Sequence, residues 1–391
     1  MIAPALCAYN ARLALSRWEQ SSRDIENNLI FFLYEEDDLI HGAGESIRQA
    51  LIDICQRGTF KVLFVVTSCL PEIVGEDVEA VVRQLRDLVS VPVLLIKTEN
   101  FTDMTARLSQ ANALLSFLDL MEHPREHIQK SVNIIGSSAR DFPSSELSSV
   151  LQEAGYSINT VFPSGCDLDR LKKASRAEYN VLLTRNATLL AEKMQAEFCI
   201  PFYLFDAAYS PQAISDNYAG LGTFLGCDLL PSVAARKDGL TDAIQSARDH
   251  LEGSSIIISL SNSRVFDMAT LLYDVGMYVP LIGFNQLTTT DLSDASRLSC
   301  RDSEILTINN LSISPLDECI ATIRPNYYLS FGNPDAIFCA RNGVRARRLV
   351  SRPHPNGFDA GRRILEILSK DKPGLSTLVL REQMREKAGI L

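Results

Sequence analysis

Cys69 lies where a thiol could do chemistry, between a predicted strand and a predicted helix. The run from Val62 to Val66 is rich in β-branched residues and is typical of a strand buried on both faces of a parallel sheet. After the thiol, apolar residues recur at three- and four-residue spacing from Ile73 to Leu88, which predicts a helix. Open α/β sheets bind ligands at the carboxyl ends of their strands, and a helix N-terminus stabilises a thiolate. On spacing alone, a buried core thiol is the commoner interpretation.

The other cysteines do not form a recognisable metal or redox motif. The chain has nine cysteines and no CxxC pair, which disfavours zinc ribbons and thioredoxin-like chemistry. In a reducing compartment we expect no disulfides. Most of the cysteines lie in apolar or ordinary contexts, so we expect them to be small buried hydrophobic residues. This group comprises Cys55, Cys199, Cys227, Cys300, Cys319 and Cys339.

Several common catalytic motifs are absent from the sequence. There is no P-loop, no GxGxxG after a predicted strand, no HExxH and no GxSxG. His123 and His127 have the i, i+4 spacing of a helical metal pair. Pro124 lies between them, which favours the solvated end of a helix instead.

The overall composition limits the class of protein. A chain of 391 residues is long enough for two or three domains, and 46% hydrophobic with 22% charged residues is typical of a soluble globular protein. The net charge of −10 argues against non-specific nucleic-acid binding and against binding to an anionic membrane. No apolar stretch is long enough to span a bilayer, and the first residues lack the pattern of a secretory signal. We therefore expect a cytoplasmic protein.

Predicted strands and helices alternate along the chain, which indicates parallel sheets with right-handed crossovers. We expect an α/β fold of three Rossmann-like domains, each a parallel sheet flanked by helices, at residues 1–128, 129–252 and 253–391. The predicted strands are 28–34, 62–66, 91–96, 132–136, 157–162, 180–183, 201–205, 255–260, 279–284 and 327–331. The predicted helices are 11–18, 45–56, 73–88, 102–122, 144–154, 187–198, 246–251, 264–274 and 357–368.

The segment 67–77, TSCLPEIVGED, resembles the signature of the nitrogenase component 1 family of oxidoreductases. That signature has a small or hydroxyl residue, a cysteine, and then Ile/Val-Gly-Asp/Glu-Asp, matched here by Val74 to Asp77. Weaker similarities follow in the family's order, and the resemblance spans nearly the whole chain. They lie at residues 4–9, 35–43, 132–136, 197–202 and 356–361.

The resemblance implies that Cys69 and Cys7 match two positions that bind an iron–sulfur cluster at a subunit interface. Family members often use a third cysteine further upstream, and this chain begins too late to supply it. A [4Fe–4S] cluster usually needs four thiolates, or three and another ligand. The cofactor implied is therefore a [4Fe–4S] cluster shared between subunits. Its other ligands come from a two-fold related copy or from a sister component 1-type subunit.

Two positions depart from the family's catalytic α-subunit pattern. The second-domain cysteine that binds the large catalytic cofactor corresponds to a position near Leu183, and the C-terminal histidine corresponds to Asn356. His354 lies two residues away. We therefore do not expect dinitrogen reduction by this chain alone. The chain resembles a β-type subunit, a cofactor-assembly scaffold, or a shorter nitrogenase-like reductase acting on tetrapyrroles or small sulfur compounds.

The mechanism implied by the resemblance is electron relay within a reductase complex. A separate ATP-dependent iron protein would pass electrons to the cluster, which agrees with the missing P-loop. We expect substrate-binding residues in loops after predicted strands or near the C-terminal motif, although ordinary solvated loops are the alternative. These candidates are Ser137, Arg185, Ser261, Asn262 and His354. Two further hypotheses are a non-catalytic scaffold that hands a cofactor on, and a paralogue that has lost its cluster.

Overall fold

The fold is taken from a computed structural model. It describes residues 1–16, 28–98, 107–137, 142–164, 166–260, 264–285, 287–309, 316–330, 336–349 and 357–369. These residues group into two compact units. One unit comprises Met1–Gln129 with Cys166–Phe202, and the other comprises Lys130–Gly165 with Tyr203–Leu391. The division into three domains at residues 128 and 252 stays a prediction.

The first sheet carries the segment around Cys69. Its strands are β1 (Ile2–Ala3), β2 (Phe32–Leu33), β3 (Leu63–Thr67) and β4 (Val93–Lys97). They pair in parallel in the order β2-β1-β3-β4. The accompanying helices are α1 (Ala5–Ser16), α2 (Glu36–His41), α3 (Gly44–Arg57), α4 (Cys69–Val74), α5 (Val78–Arg86) and α6 (Arg107–Leu115).

The helical pattern predicted for residues 73–88 is two helices rather than one. Val78, Val82 and Leu85 bury one face of α5 in the core of the first sheet. Full burial of such a side chain stabilises the fold by roughly 1.5–3 kcal/mol. Gly75 ends α4 in the left-handed conformation, with φ 75° and ψ 25°, and Asp77 starts α5. The apolar spacing continues across this break, so periodicity alone could not reveal it.

A second sheet contains β5 (Ile128–Ser137), β6 (Ser157–Pro163), β7 (Ala177–Leu182) and β8 (Phe202–Leu204). Strands β5 and β6 are parallel, with Val132 opposite Ile158. The helices in this part of the chain are α7 (Glu146–Glu153), α8 (Leu168–Lys172), α9 (Thr188–Phe198), α10 (Pro211–Leu225) and α11 (Leu230–Leu251). The helix predicted at 246–251 is only the last part of α11, because this 22-residue helix buries few, widely spaced side chains.

The third sheet has the order β11-β10-β9-β12-β13, and all of its described pairs are parallel. Its strands are β9 (Ser255–Ser259), β10 (Tyr278–Phe284), β11 (Leu306–Asn309), β12 (Tyr327–Ser330) and β13 (Arg345–Arg348). Its helices are α12 (Val265–Asp274), α13 (Thr289–Ser299), α14 (Leu316–Ile323), α15 (Ala336–Arg341) and α16 (Phe358–Ser369). Ile256, Ile257 and Ile258 of the central β9 are fully buried, as expected for a strand covered on both faces. The prediction of an α/β fold with three parallel sheets flanked by helices is confirmed.

Candidate metal centre

Cys69 is the first residue of α4 and follows β3 after a single intervening residue. That residue, Ser68, caps the helix: its hydroxyl accepts a hydrogen bond from the Leu70 N–H at 3.4 Å. The Ser68 N–H donates to the Ile2 carbonyl at 2.9 Å, which ties the turn to the neighbouring β1. Thr67 and Ser68 are buried, whereas the Cys69 side chain is half-buried. The thiol therefore lies at the carboxyl edge of the first sheet, on a turn held to the adjacent strand.

Cys7 lies at the same edge of the sheet, on the helix that follows the neighbouring strand β1. It lies in α1, which begins two residues after β1 ends. Strands β1 and β3 are parallel neighbours, with Ile2 opposite Thr67, and α4 packs against β1. Both thiols are free and half-buried. The two cysteines are thus brought to one edge by the strand order, although 62 positions separate them in the sequence.

The residues Gly75, Glu76 and Asp77 each have a structural role. Gly75 provides the left-handed end of α4. The Glu76 carboxylate accepts a hydrogen bond from the Ala43 N–H at 2.7 Å, where α3 begins. The Asp77 carboxylate accepts from the Ala80 N–H at 2.9 Å and caps α5. This motif holds the helices around the cysteine in place without itself providing a thiol or imidazole ligand.

The donor set at this edge is incomplete for a four-iron cluster. Over the described residues, no group of three or more His, Cys, Asp or Glu side chains is arranged to hold a metal ion. Cys7 and Cys69 offer two thiolates, and a [4Fe–4S] cluster needs four protein ligands. The residues that the structure describes therefore fit a cluster only if other ligands come from elsewhere.

Large apolar side chains are exposed on the three helices that follow β1, β2 and β3. We call this set the edge surface; it consists of Leu6, Tyr9, Leu39, Ile40, Ile73 and Val74. Ile40 is 72% exposed and Leu6 is 70% exposed. None of the six residues of α2 is buried. Large apolar side chains exposed on helices that follow neighbouring strands are suited to a surface that another chain covers.

Two candidate substrate-binding residues are described: Arg185 follows a strand as predicted, whereas Ser137 still belongs to its strand. Ser137 is the last residue of β5 and is buried, and its carbonyl accepts from the Ser164 N–H at 3.3 Å. Arg185 begins a 3₁₀ turn, Arg185–Ala187, shortly after β7 and is half-buried. Ser137 belongs to the second compact unit and Arg185 to the first. Ser261, Asn262 and His354 lie outside the described residues.

The other sequence-based expectations for cysteine and histidine are largely wrong. Of the six cysteines expected to be buried, only Cys339 is; Cys199 and Cys300 are exposed, and the remainder are half-buried. His123 and His127 lie in an irregular segment rather than on a helix. The His127 Nδ1 atom is 2.8 Å from the Ala177 carbonyl oxygen, and the His123 Nε2 atom is 3.5 Å from the Glu197 carboxylate. Each histidine therefore has its own partner.

Sequence reasoning missed a buried carboxylate in the second compact unit. Glu146, at the start of α7, is 5% exposed and accepts hydrogen bonds from the N–H groups of Phe358 and Asp359, both at 3.0 Å. The Tyr218 hydroxyl donates to the same carboxylate at 2.7 Å. Burial raises the pKa of Glu146, although these three donors oppose the shift. Gly357, with φ 80°, leaves room for the carboxylate. In the sequence, Gly357 was the one local sign of a close approach here.

A second network of buried charged side chains lies at the start of α12. The Arg264 guanidinium donates to both carboxylate oxygens of Asp294, at 2.8 and 2.9 Å, and both side chains are buried. The Asp267 carboxylate accepts from the N–H groups of Tyr209 and Ser210, at 2.7 and 3.1 Å. Burial raises the pKa of Asp267 despite the nearby Arg264. These contacts fix the start of α12 and the start of α10.

A cavity of about 380 Å³ lies beside the edge strand β4, between α5 and α6. Charged side chains along it pair with one another. The Lys97 Nζ atom is 2.6 Å from the Glu79 carboxylate, and an Arg86 nitrogen is 3.7 Å from the Asp119 carboxylate. Arg83 also lines the cavity and lies 3.8 Å from the same Glu79 carboxylate, so three cations face two carboxylates there.

Comparison with known proteins identifies the family. The model of the family described as nitrogenase component 1 type oxidoreductase matches residues 1–346, so the chain belongs to that family. It is 20% identical to the iron-molybdenum cofactor biosynthesis protein NifE of Nostoc sp. over 70% of this chain and 59% of NifE. It is 22% identical to NifN of Bradyrhizobium diazoefficiens, over 68% of this chain and 61% of NifN.

Further similarity is found to a nitrogenase alpha chain and to a solved structure. The chain is 20% identical to the nitrogenase molybdenum-iron protein alpha chain of Methanothermobacter marburgensis, over 75% of this chain and 64% of that one. The structure of nitrogenase Cp1 at pH 5 superposes with a TM-score of 0.68 at 15% identity, covering 87% of this chain and 76% of Cp1, which supports the fold. The chain spans about three-fifths of the length of the curated relatives it matches. None of its described helices is both long and apolar enough to cross a membrane.

Proposed function

We propose that this chain is a subunit of a nitrogenase-like reductase that relays electrons through a [4Fe–4S] cluster at a subunit interface. Cys69 and Cys7 are the ligands that this chain contributes. The remaining ligands belong to a second component 1-type subunit, either a copy of this chain or a different one. An ATP-dependent iron protein is the electron donor that the family resemblance implies, and the lack of a P-loop in this sequence agrees with it.

The observation that carries this proposal is the position of the two thiols. They lie at the ends of adjacent parallel strands, next to the exposed apolar residues of the edge surface. A chain that supplies two thiolates needs a partner to complete a four-iron cluster. An exposed apolar surface next to those thiolates is where such a partner would dock.

Bound in this way, the cluster would accept and release one electron at a time. The protein residues would keep the two thiolates at a fixed separation. The hydrogen bond from the Ser68 N–H to the Ile2 carbonyl ties the two strand ends together. The Glu76 carboxylate, bound to the Ala43 N–H, holds the start of α3 against the loop that follows α4. Ser137 and Arg185 belong to different compact units, so each stays a separate candidate for substrate binding.

A second candidate function is a non-catalytic scaffold for cofactor assembly. The names of two similar proteins, NifE and NifN, describe cofactor biosynthesis rather than a reduction. The same two thiolates and the same partner surface would serve a scaffold equally well. The two functions differ in turnover: only the reductase should reduce a substrate when an iron-protein reductase and ATP are added.

Iron and acid-labile sulfide, measured per chain in protein produced anaerobically together with its partner, test the cluster. Cys69→Ala should lower both at least severalfold, and Cys7→Ala should lower both as well, because each removes a thiolate ligand. The matched control is Cys300→Ala, since Cys300 is an exposed thiol outside the edge surface.

Unchanged iron in Cys69→Ala would remove this residue as a ligand. Wild-type protein without iron or sulfide under these conditions would contradict both candidate functions and leave a paralogue that keeps only the fold. Cys339→Ala should also keep its iron; this thiol is 1% exposed, so a check of folding must accompany that variant.

A further inference from the structure

The cavity beside β4 lies wholly within the first compact unit. Its volume of about 380 Å³ is at the lower end of the roughly 300–1,000 Å³ that small-molecule sites occupy. The strand β4 and the helices α5 and α6 all contribute residues to its lining. A cavity of this size is large enough for a small organic molecule.

One face of α5 supplies the charged wall of the cavity. Glu79, Val82, Arg83 and Arg86 all line it, at spacings of three, four and seven residues from the first of them. Side chains at this spacing lie on the same face of a helix. Two guanidinium groups therefore approach the cavity from the same wall.

Both guanidinium groups keep N–H donors that a ligand could use. Arg83 donates no hydrogen bond to the described residues, and the Glu79 carboxylate, 3.8 Å away, is beyond hydrogen-bond distance. Arg86 donates its Nε–H to the Val93 carbonyl at 3.0 Å, while its Nη2 atom stays 3.7 Å from the Asp119 carboxylate. Exposed ion pairs at such distances contribute little, so an oxyanion bound by both N–H groups of a guanidinium fork can compete with them.

The charges of the lining favour an anion. Lys97 lies 2.6 Å from the Glu79 carboxylate, and with Arg83 and Arg86 it makes three cations against the two carboxylates of Glu79 and Asp119. The cavity thus has a surplus of one positive charge in a chain whose net charge is −10. A cationic ligand would meet this surplus unfavourably, whereas an anion would neutralise it.

The rest of the lining is mainly apolar. Leu94, Leu95 and Leu115 contribute aliphatic side chains, and Leu94 is buried. The half-buried Asn112 side chain also lines the cavity and forms no hydrogen bond with the described residues. Sites of this kind combine apolar walls, which hold the body of a ligand, with a few polar groups that orient it.

We propose that this cavity binds a small organic anion in which one carboxylate or phosphate group is attached to an aliphatic body. Arg83 and Arg86 bind the oxyanion, and the leucine side chains contact the aliphatic body. The proposal goes beyond the proposed function and does not depend on it, because neither Cys7 nor Cys69 lines this cavity.

Isothermal titration calorimetry of the purified full chain tests the class of ligand. Hexyl phosphate and hexanoate carry an oxyanion on an alkyl chain, hexan-1-ol has the chain without the charge, and inorganic phosphate has the charge without the chain. The better of the two alkyl oxyanions should bind once per chain and at least about tenfold more tightly than hexan-1-ol or inorganic phosphate. Whichever alkyl oxyanion binds more tightly identifies the oxyanion as phosphate or carboxylate. Equal affinity for hexan-1-ol, or for inorganic phosphate, would overturn the proposal.

Substitution of the two arginines tests their role. Arg83→Gln with Arg86→Gln should weaken binding of the better alkyl oxyanion at least about tenfold and leave that of hexan-1-ol unchanged, because only the oxyanion contacts are removed. Arg83→Gln alone should weaken it severalfold. Arg83 is 73% exposed and donates no hydrogen bond to the described residues, so this single variant should fold normally. Unchanged affinity in Arg83→Gln would overturn the proposal.

The matched control removes the same charge from a different surface. Arg362→Gln with Arg363→Gln changes two arginines of α16 that are 49% and 52% exposed and also pair with carboxylates, and it should leave the affinity unchanged. An equal loss in this control would overturn the proposal, because binding would then reflect net charge alone. The measurement does not use iron. Failure of the proposed function would appear in the iron and sulfide contents, and failure of this inference would appear in the binding of the alkyl oxyanions.

Discussion

At the scale of single residues, three positions of the family motif have structural rather than chemical roles. Gly75, Glu76 and Asp77 end one helix, hold the start of a second and cap a third. Their hydrogen bonds position the segment that carries Cys69. A motif found near a thiol can therefore reflect the local fold as much as the metal that the thiol would bind.

Asp77→Ala should destabilise the protein by about 1 kcal/mol, because loss of an N-cap side chain typically costs 0.5–2 kcal/mol. The carboxylate accepts from the Ala80 N–H at 2.9 Å, and alanine offers no acceptor. Urea unfolding measures the change in the free energy of unfolding. Asp77→Asn keeps an acceptor and is the control; an equal loss in both variants would contradict the capping role.

Gly357→Ala should destabilise the protein more than Gly343→Ala. Both glycines have positive φ, 80° and 73°, where a Cβ costs roughly 1–2 kcal/mol. A Cβ at Gly343 meets no atom within 4 Å, whereas at Gly357 it would overlap the Glu146 carboxylate. Overpacking should add roughly 1–3 kcal/mol at Gly357. Thermal unfolding of the two variants measures the difference, and equal shifts would show that Glu146 can move aside.

At the scale of elements, buried carboxylates connect pairs of helices in the second compact unit. Glu146 of α7 binds the first N–H groups of α16, and Asp267 of α12 binds N–H groups at the start of α10. A helix begins with N–H groups that have no partner within the helix, so a carboxylate from another element can satisfy them. This device links segments that are distant in sequence, such as residues 146 and 358.

The stability of this attachment should depend on pH. Burial raises the pKa of Glu146 above its ordinary value of 4.5, so the folded state binds this proton more tightly than the unfolded state does. The resulting stabilisation is fully present below pH 4.5 and is lost as the pH rises through the folded-state pKa.

In that range the free energy of unfolding of the wild type should fall with rising pH more steeply than that of Glu146→Gln, which cannot titrate. Urea unfolding at a series of pH values gives both slopes, and subtracting one from the other removes the contribution of every other group. Parallel slopes would mean that the pKa of Glu146 is the same in the folded and unfolded states.

At the scale of the whole molecule, the helices that follow β1, β2 and β3 carry Cys7, Cys69 and the exposed apolar residues of the edge surface. In the third sheet, by contrast, the three isoleucines of β9 are fully buried. An edge that keeps Ile40 and Leu6 exposed is suited to assembly rather than to the stability of the isolated chain.

Ile40→Ser should therefore leave the stability of the isolated chain nearly unchanged, within about 0.5 kcal/mol, as is usual for exposed positions. Assembly with the partner should nevertheless be lost, because Ile40 is 72% exposed in the chain alone. Thermal unfolding and sedimentation measure the two effects. Leu292→Ser, at a residue 57% exposed on α13, should change neither. A drop of several degrees in Tm for Ile40→Ser alone would show that this residue supports the fold.

Sequence patterns predicted the elements with strong local signals and missed those without them. The apolar run before Cys69 predicted β3, but β13 is Arg-Ala-Arg-Arg and has no apolar pattern. The strand β1 has two residues, too few for any periodicity. No local pattern singled out Glu146, since its partners Tyr218 and Phe358 are far away in the sequence.

The sequence by itself determined the parallel α/β class and the position of Cys69 after a strand end, because hydrophobic periodicity and chain order are local properties. Only the tertiary structure decided that β1 lies between β2 and β3, which brings Cys7 to the same edge as Cys69 and leaves the edge surface exposed. Strand order depends on how the crossover helices pack on the sheet, and that packing is a property of contacts between distant residues.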